Sequence, residues 1–263
     1  MDFKQWMGMK TPSFRTVGGK SRLRNWLLAH FPKEGRIYVE PFAGRGNVFF
    51  KAKQELDFQE WHINDLRGNF FNSLLAADLE KLPKSITSKK SFQHWQKQAE
   101  KENPLGVVLE PEITWGGKGW SAGANLGYEA PEGKMGSHPP FTRDKYIPRA
   151  AMAKELLSAQ GVKITSLHWQ NLPWTTYGPK DFVYLDPPYH ETSDEYYGQI
   201  DHSVLLLMLK SVSFRWALSG YETDLYAKEL KGYKKLSIGR GAELKGAATR
   251  KKTVVTENLW MNY

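Results

Sequence analysis

The chain has no cysteine among its 263 residues. That excludes disulfides, thiolate nucleophiles and cysteine-rich zinc sites. Long apolar runs are missing too: the longest, Val204 to Leu209, is too short to cross a bilayer, and no apolar signal segment opens the chain. A cytoplasmic protein is the expectation. No internal repeat is evident. Negative charge is scarce, with 28 Asp and Glu against 37 Lys and Arg and a formal charge of +9. Such an excess favours an anionic polymer as partner, because neutralising phosphates releases counterions. A hydrophobic content of 40% suffices for one substantial core plus an insertion.

The most informative stretch is Asp186-Pro187-Pro188-Tyr189, which closes the apolar run Phe182 to Leu185. A short apolar run ended by two prolines predicts a buried strand that stops abruptly. It delivers a carboxylate, a proline carbonyl and an aromatic ring to its C-terminal edge, where open α/β sheets bind ligands. Together those groups can hold a planar amine. The Asp186 carboxylate and the Pro187 carbonyl each accept a hydrogen bond from an exocyclic NH2, and the Tyr189 ring stacks on the base.

Far upstream, the strand-like run Arg36 to Glu40 leads into Pro41-Phe42-Ala43-Gly44-Arg45-Gly46-Asn47. Gly44 and Gly46 allow a tight turn and close ligand approach. Asn47 to Ala52 then reads as the start of a helix. The next strand, Trp61 to Asn64, ends at Asp65, about 20 residues beyond the glycines, where an acid binds ribose hydroxyls in nucleotide sites. No third glycine completes the dinucleotide fingerprint, which weakens a nicotinamide oxidoreductase reading. A glycine turn alone also fits a purely structural role; Asp65 and the Asp186 tetrapeptide favour the cofactor.

Strand and helix signals alternate through residues 14 to 80 and again from about 149 to 230. Helices are expected over Arg149 to Leu157, stopped by Gly161, and over Asp201 to Lys210, with Asp201 as N-cap. Phe214 to Leu218 reads as a strand. Lys234 to Ile238 and Thr253 to Met261 read as a hairpin with a long basic connection. The fold class is therefore α/β, a mostly parallel sheet with helices on both faces. Residues 102 to 148 are different, rich in glycine and proline with Trp115, Trp120, Tyr128 and Phe141 interleaved. With Lys118, Lys134, Arg143 and Lys145 among them, they suit contact with phosphates and unstacked bases, or else form a solvated insertion. Arg250, Lys251 and Lys252 in the hairpin connection read as phosphate contacts or as a charged, solvated tip.

Several ordered blocks together resemble the Dam-like DNA adenine-N6 methyltransferases, which use S-adenosylmethionine. They are Phe14-Arg15-Thr16-Val17-Gly18-Gly19-Lys20-Ser21-Arg22-Leu23, Tyr38 to Gly46, Asn64-Asp65, Asp186 to Tyr189, Ala217 to Tyr221 and Thr256 to Tyr263. The resemblance covers nearly the whole chain except roughly residues 80 to 160. It implies a Rossmann-like methyltransferase fold with an antiparallel end hairpin. Residues 1–80 and 149–263 would form the catalytic domain and 81–148 an inserted target-recognition region. It further implies cofactor contacts from Phe14, Gly18, Lys20, Glu40, Phe42, Ala43, Gly44, Gly46, Asn47, Asp65, His168, Trp169 and Asp186. The family usually carries an acid near His168; here His168 or Gln170 takes that place, or His168 is a surface histidine at a strand end.

The implied reaction extrudes an adenine from duplex DNA, stacks it on Tyr189 and polarises its amine through Asp186 and Pro187. No metal is demanded. Action on RNA or on cytosine N4 uses similar chemistry, although Asp at the first tetrapeptide position favours adenine. A catalytically idle nucleic-acid-binding module is the alternative of a different class.

Overall fold

A computed structural model of the chain describes residues 11–16, 19–66, 68–114, 117, 119, 120, 124, 129, 130, 134, 135, 141–189, 200–243 and 252–263; within these, the side chains of 129, 130, 134, 135, 240–243 and 252–255 are not described. Seven strands make one sheet: β1 (Glu34–Glu40), β2 (Asp57–Asn64), β3 (Val162–Thr165), β4 (Phe182–Leu185), β5 (Arg215–Gly220), β6 (Lys234–Glu243) and β7 (Lys252–Met261). Their spatial order is β6-β7-β5-β4-β1-β2-β3. β7 is antiparallel to both β5 and β6, while the pairings among the other strands are parallel. The sheet is mostly parallel with an antiparallel end hairpin, as expected.

Period-two alternation explains why β4 reads as a continuous apolar run: each face has its own core. Tyr38, Phe182, Tyr184, Ala217 and Leu259 point to one face. There they meet helices α1 (Arg24–His30), α2 (Asn47–Glu55) and α3 (Asn69–Ala76). Ile37, Val39, Val183, Leu185, Trp216, Leu218 and Trp260 point to the other, against a helix at His202–Ser211 that supplies Leu205, Leu206 and Leu209. Asp201 caps that helix as predicted, its side chain accepting from the Val204 N–H at 3.1 Å.

The described part of residues 81–148 is more regular than its composition suggests. Helix α4 (Lys89–Glu100) and helix α5 (Pro104–Ile113) fall within it, and α6 runs over Arg143–Ser158, starting ahead of Arg149 and continuing through Pro148. Phe92, Val108, Leu109 and Ile113 join the same apolar cluster as the sheet, and the Tyr146 hydroxyl donates to the Val108 carbonyl at 3.1 Å. Residues 104–113 thus belong to the packed core. Among the described residues, no helix is long and apolar enough to cross a membrane.

Candidate functional site

β1 ends in a turn whose backbone suits glycine: φ is +56° at Gly44 and +73° at Gly46. A Cβ on Gly46 would lie 2.9 Å from the Phe50 ring and 3.1 Å from Phe71, so the turn and the helix behind it exclude a side chain. Asp65, at the end of β2, holds the turn closed: its Oδ2 accepts from the Gly44 N–H at 2.7 Å. Asn64 fastens the neighbouring loops. Its amide nitrogen donates to the Pro41 carbonyl at 2.9 Å and the Leu167 carbonyl at 3.0 Å, and its Oδ1 accepts from the Leu167 N–H at 2.9 Å.

Asn64 is itself held from below. Thr165 Oγ1 donates to Asn64 Oδ1 at 2.7 Å, and His62 bridges Thr165 (2.8 Å) and the Tyr177 hydroxyl (2.7 Å). Burial, with Lys163 adding to it, pushes the His62 pKa down to about 4. Asn47 and Phe14 exchange two hydrogen bonds of 2.9 Å, while the Phe14 ring is buried against Phe50, Phe70 and Tyr146. Phe14 and Asn47 therefore brace the turn from behind. His168 is exposed, and Trp169 is buried with its ring 6.4 Å from Phe42. Two exposed apolar residues escaped the sequence reading: Leu66 follows Asp65, and Leu167 precedes His168.

The second half of the site gathers at the end of β4. The Lys20 ammonium, with 2% side-chain exposure, lies 2.8 Å from Asp186 Oδ1 and 3.7 Å from Glu257 Oε1. It also sits 4.7 Å from the centre of the Tyr189 ring. Ser219, from β5, donates to Asp186 Oδ1 at 3.0 Å and shares a 2.9 Å bond with the Tyr184 hydroxyl. The Tyr189 hydroxyl donates to Glu257, and its ring meets Tyr221 edge-on at 4.4 Å. Burial, then the charges of Asp186 and Glu257, raise the Tyr189 pKa well above its usual value, so the phenol stays protonated.

Glu40 lies beneath this cluster, fully buried and accepting from Tyr38 at 2.6 Å. Burial above all, helped by the charge of Asp186, lifts its pKa to about 8 against the opposing bond from Tyr38. Neither Ser219 nor Glu257 was singled out from sequence. The signal for Glu257 was available: β7 alternates, and Glu257 shares a face with Leu259 and Met261, so a charge there was destined for burial.

Residues 17–103 match the D12 class of N6 adenine-specific DNA methyltransferases. Over that third of its length the chain is similar to this family. The modification methylase StsI of Streptococcus sanguinis is 22% identical over 191 residues, which make up 68% of this chain and 29% of that protein. The chain thus spans less than a third of the length of that relative. Among solved structures, PH1948 of Pyrococcus horikoshii, a candidate RNA methyltransferase, is 11% identical with a TM-score of 0.41, covering 98% of this chain and 94% of that one. SMU.1697c of Streptococcus mutans, a candidate methyltransferase complexed with SAH, is 9% identical with a TM-score of 0.39, covering 91% and 96%.

The residues expected to meet DNA are placed less uniformly than the cluster around Asp186. Trp120 packs against Phe92, ring centres 5.3 Å apart, at the edge of the core. Arg143 is anchored to backbone, its N–H on the Lys84 carbonyl at 2.9 Å and its guanidinium on the Glu80 carbonyl at 3.1 Å. Lys145 is exposed in the first turn of α6. Gly18, Lys118, Arg250 and Lys251 lie outside the described residues, as do the side chains of Lys134 and Lys252.

Proposed function

We propose that this chain transfers a methyl group from S-adenosylmethionine to the N6 amine of an adenine extruded from duplex DNA. The observation that carries the reading is Asp186: a carboxylate at the C-terminal end of a buried strand, held through one oxygen by Lys20 and Ser219, beside a proline carbonyl and Tyr189. The crevice next to it suits the cofactor. Asp65 offers a carboxylate for ribose hydroxyls, and Leu66 and Leu167 offer apolar surface for the adenine. At Gly44 a Cβ would meet nothing nearer than Thr16 Oγ1 at 3.8 Å, so the bare backbone leaves room for a ligand.

When bound, S-adenosylmethionine supplies a methyl whose bond to a cationic sulfur breaks as the bond to nitrogen forms, after which the amine gives up one proton. The chain's own residues do the positioning. Asp186 and the Pro187 carbonyl accept the two amine hydrogens, which turns the nitrogen lone pair out of conjugation. Tyr189 stacks on the base and offsets part of the unstacking cost, a contact worth about 1–3 kcal/mol. Fixed acceptors need no reorganisation during transfer, which is where most of the rate arises.

The test is incubation with methyl-labelled S-adenosylmethionine and unmodified duplex DNA, followed by digestion to nucleosides. Label in N6-methyladenine, absent with Asp186→Ala, is the expected result. Label in cytosine would overturn the base assignment. Cofactor binding without label would turn attention to RNA, and no cofactor binding would favour the idle module.

A further inference from the structure

We infer that Glu257 is a positioning residue of the amine site: it anchors Tyr189 and shares the Lys20 ammonium, so that Asp186 keeps its strength as an acceptor. The inference rests on the methyl-transfer reading above. Glu257 is completely buried, and two of its contacts reach the site: Tyr189 donates to its Oε1, and Lys20 lies 3.7 Å from the same oxygen. Burying a carboxylate is costly unless it is paired, and packing alone is met on this face by Leu259 and Met261. A charge is retained here because the site uses it.

Its use follows from the charge count. Asp186, Glu257 and Lys20 leave two negative charges and one positive within a few ångströms. Among the described residues these three keep one net negative charge, which stabilises a cationic methyl donor and the positive charge that grows on the amine. The geometry adds a second effect. Among the described residues, both side-chain bonds to Asp186 go to Oδ1, so Oδ2 can take the amine. With Glu257 neutral, Lys20 would lean more strongly on Asp186 and would withdraw density from the acceptor.

Glu257→Gln separates charge from shape, because the amide oxygen still accepts from Tyr189. Steady-state methylation of duplex DNA should show kcat reduced at least about tenfold, with KM for DNA and for cofactor within about threefold of the parent. A purely structural role would instead lower the unfolding midpoint and move both KM values. Tyr189→Phe provides a second variant should Glu257→Gln not fold: the ring remains, the bond to Glu257 is lost, and kcat should again fall about tenfold. Activity within twofold of the parent in either variant would overturn the inference and leave the function standing. Absence of transfer by the parent chain itself would overturn both.

Discussion

The Arg45 guanidinium lies 3.1 Å from Glu110, so the glycine turn after β1 is bonded directly to helix α5. Arg45 also covers the Phe70 ring at 4.6 Å. The pair is mostly buried, with side-chain exposures of 14% and 23%, and should be worth more than a surface bridge, on the order of 1 kcal/mol. Glu110→Gln should weaken S-adenosylmethionine binding severalfold. A double-mutant cycle with Arg45→Met, read by calorimetry, should return a coupling of about that size; additive losses would show that the turn holds itself.

Asn64 spans the two loops that flank the crevice. Replacing it with Ala removes the donors to Pro41 and Leu167 and the acceptor for Leu167 and Thr165 at once. Cofactor Kd should rise at least about tenfold, while melting in the absence of cofactor shifts modestly. An unchanged Kd would mean the loops are set by their own backbone.

Ser219 holds the Asp186 carboxylate in place. Ser219→Ala should lower kcat about tenfold with little change in KM, because a hydrogen bond to a charged group is lost where the reaction occurs. Equal losses in kcat and in cofactor affinity would argue for a general disturbance of β5.

Glu40 makes stability depend on pH. Its pKa rises from 4.5 in the unfolded chain to about 8 when folded, so between those values the folded state holds a proton that the unfolded state has released. Stability from this group is fully present below pH 4.5 and falls as pH climbs towards 8. His62 works in the opposite sense: its pKa drops from 6.5 to about 4, and its contribution is regained as pH rises through that interval. The two oppose each other up to about pH 6.5, and the Glu40 loss then stands alone. Glu40→Gln should therefore gain on the parent in denaturant unfolding as pH goes from 6.5 to 8. A constant difference across that range would refute the assignment.

Asp181 offers a contrast at the opposite edge of the sheet. Buried, it accepts from the Ile37 N–H at 3.1 Å and the Gly178 N–H at 2.7 Å, and it pairs with Arg36. Asp181→Ala should destabilise by about 3 kcal/mol and leave KM for cofactor unaltered in the folded fraction.

The parts of this architecture that were legible in sequence are those whose signals are local. β4 could be read because an apolar run buried on both faces ends at two prolines, and the crevice because Gly44, Gly46 and Asp65 carry their spacing with them. Helix α5 was not legible: it falls within residues 102 to 148, read as a glycine- and proline-rich stretch, although Pro104 opens the helix and Asn103 caps it. The expected DNA-facing role of Trp120 and Arg143 was drawn from composition, which cannot distinguish an aromatic packed on Phe92 from one turned outward. Lys20 was placed beside the cofactor, but its bond to Asp186 spans 166 residues, and no periodicity reports such a contact.

β7 runs against the rest of the sheet, and this has a consequence for the order of events during synthesis. Lys20 leaves the ribosome early, Asp186 much later, and Glu257 only with the strand that must slide in between β5 and β6. Until that strand is made, Leu259 and Trp260 are missing from both cores and the amine site lacks its buried carboxylate. A nascent chain can therefore shape the glycine turn well before it can assemble the cluster around Asp186, and on the proposed function a partly translated chain carries no competent site.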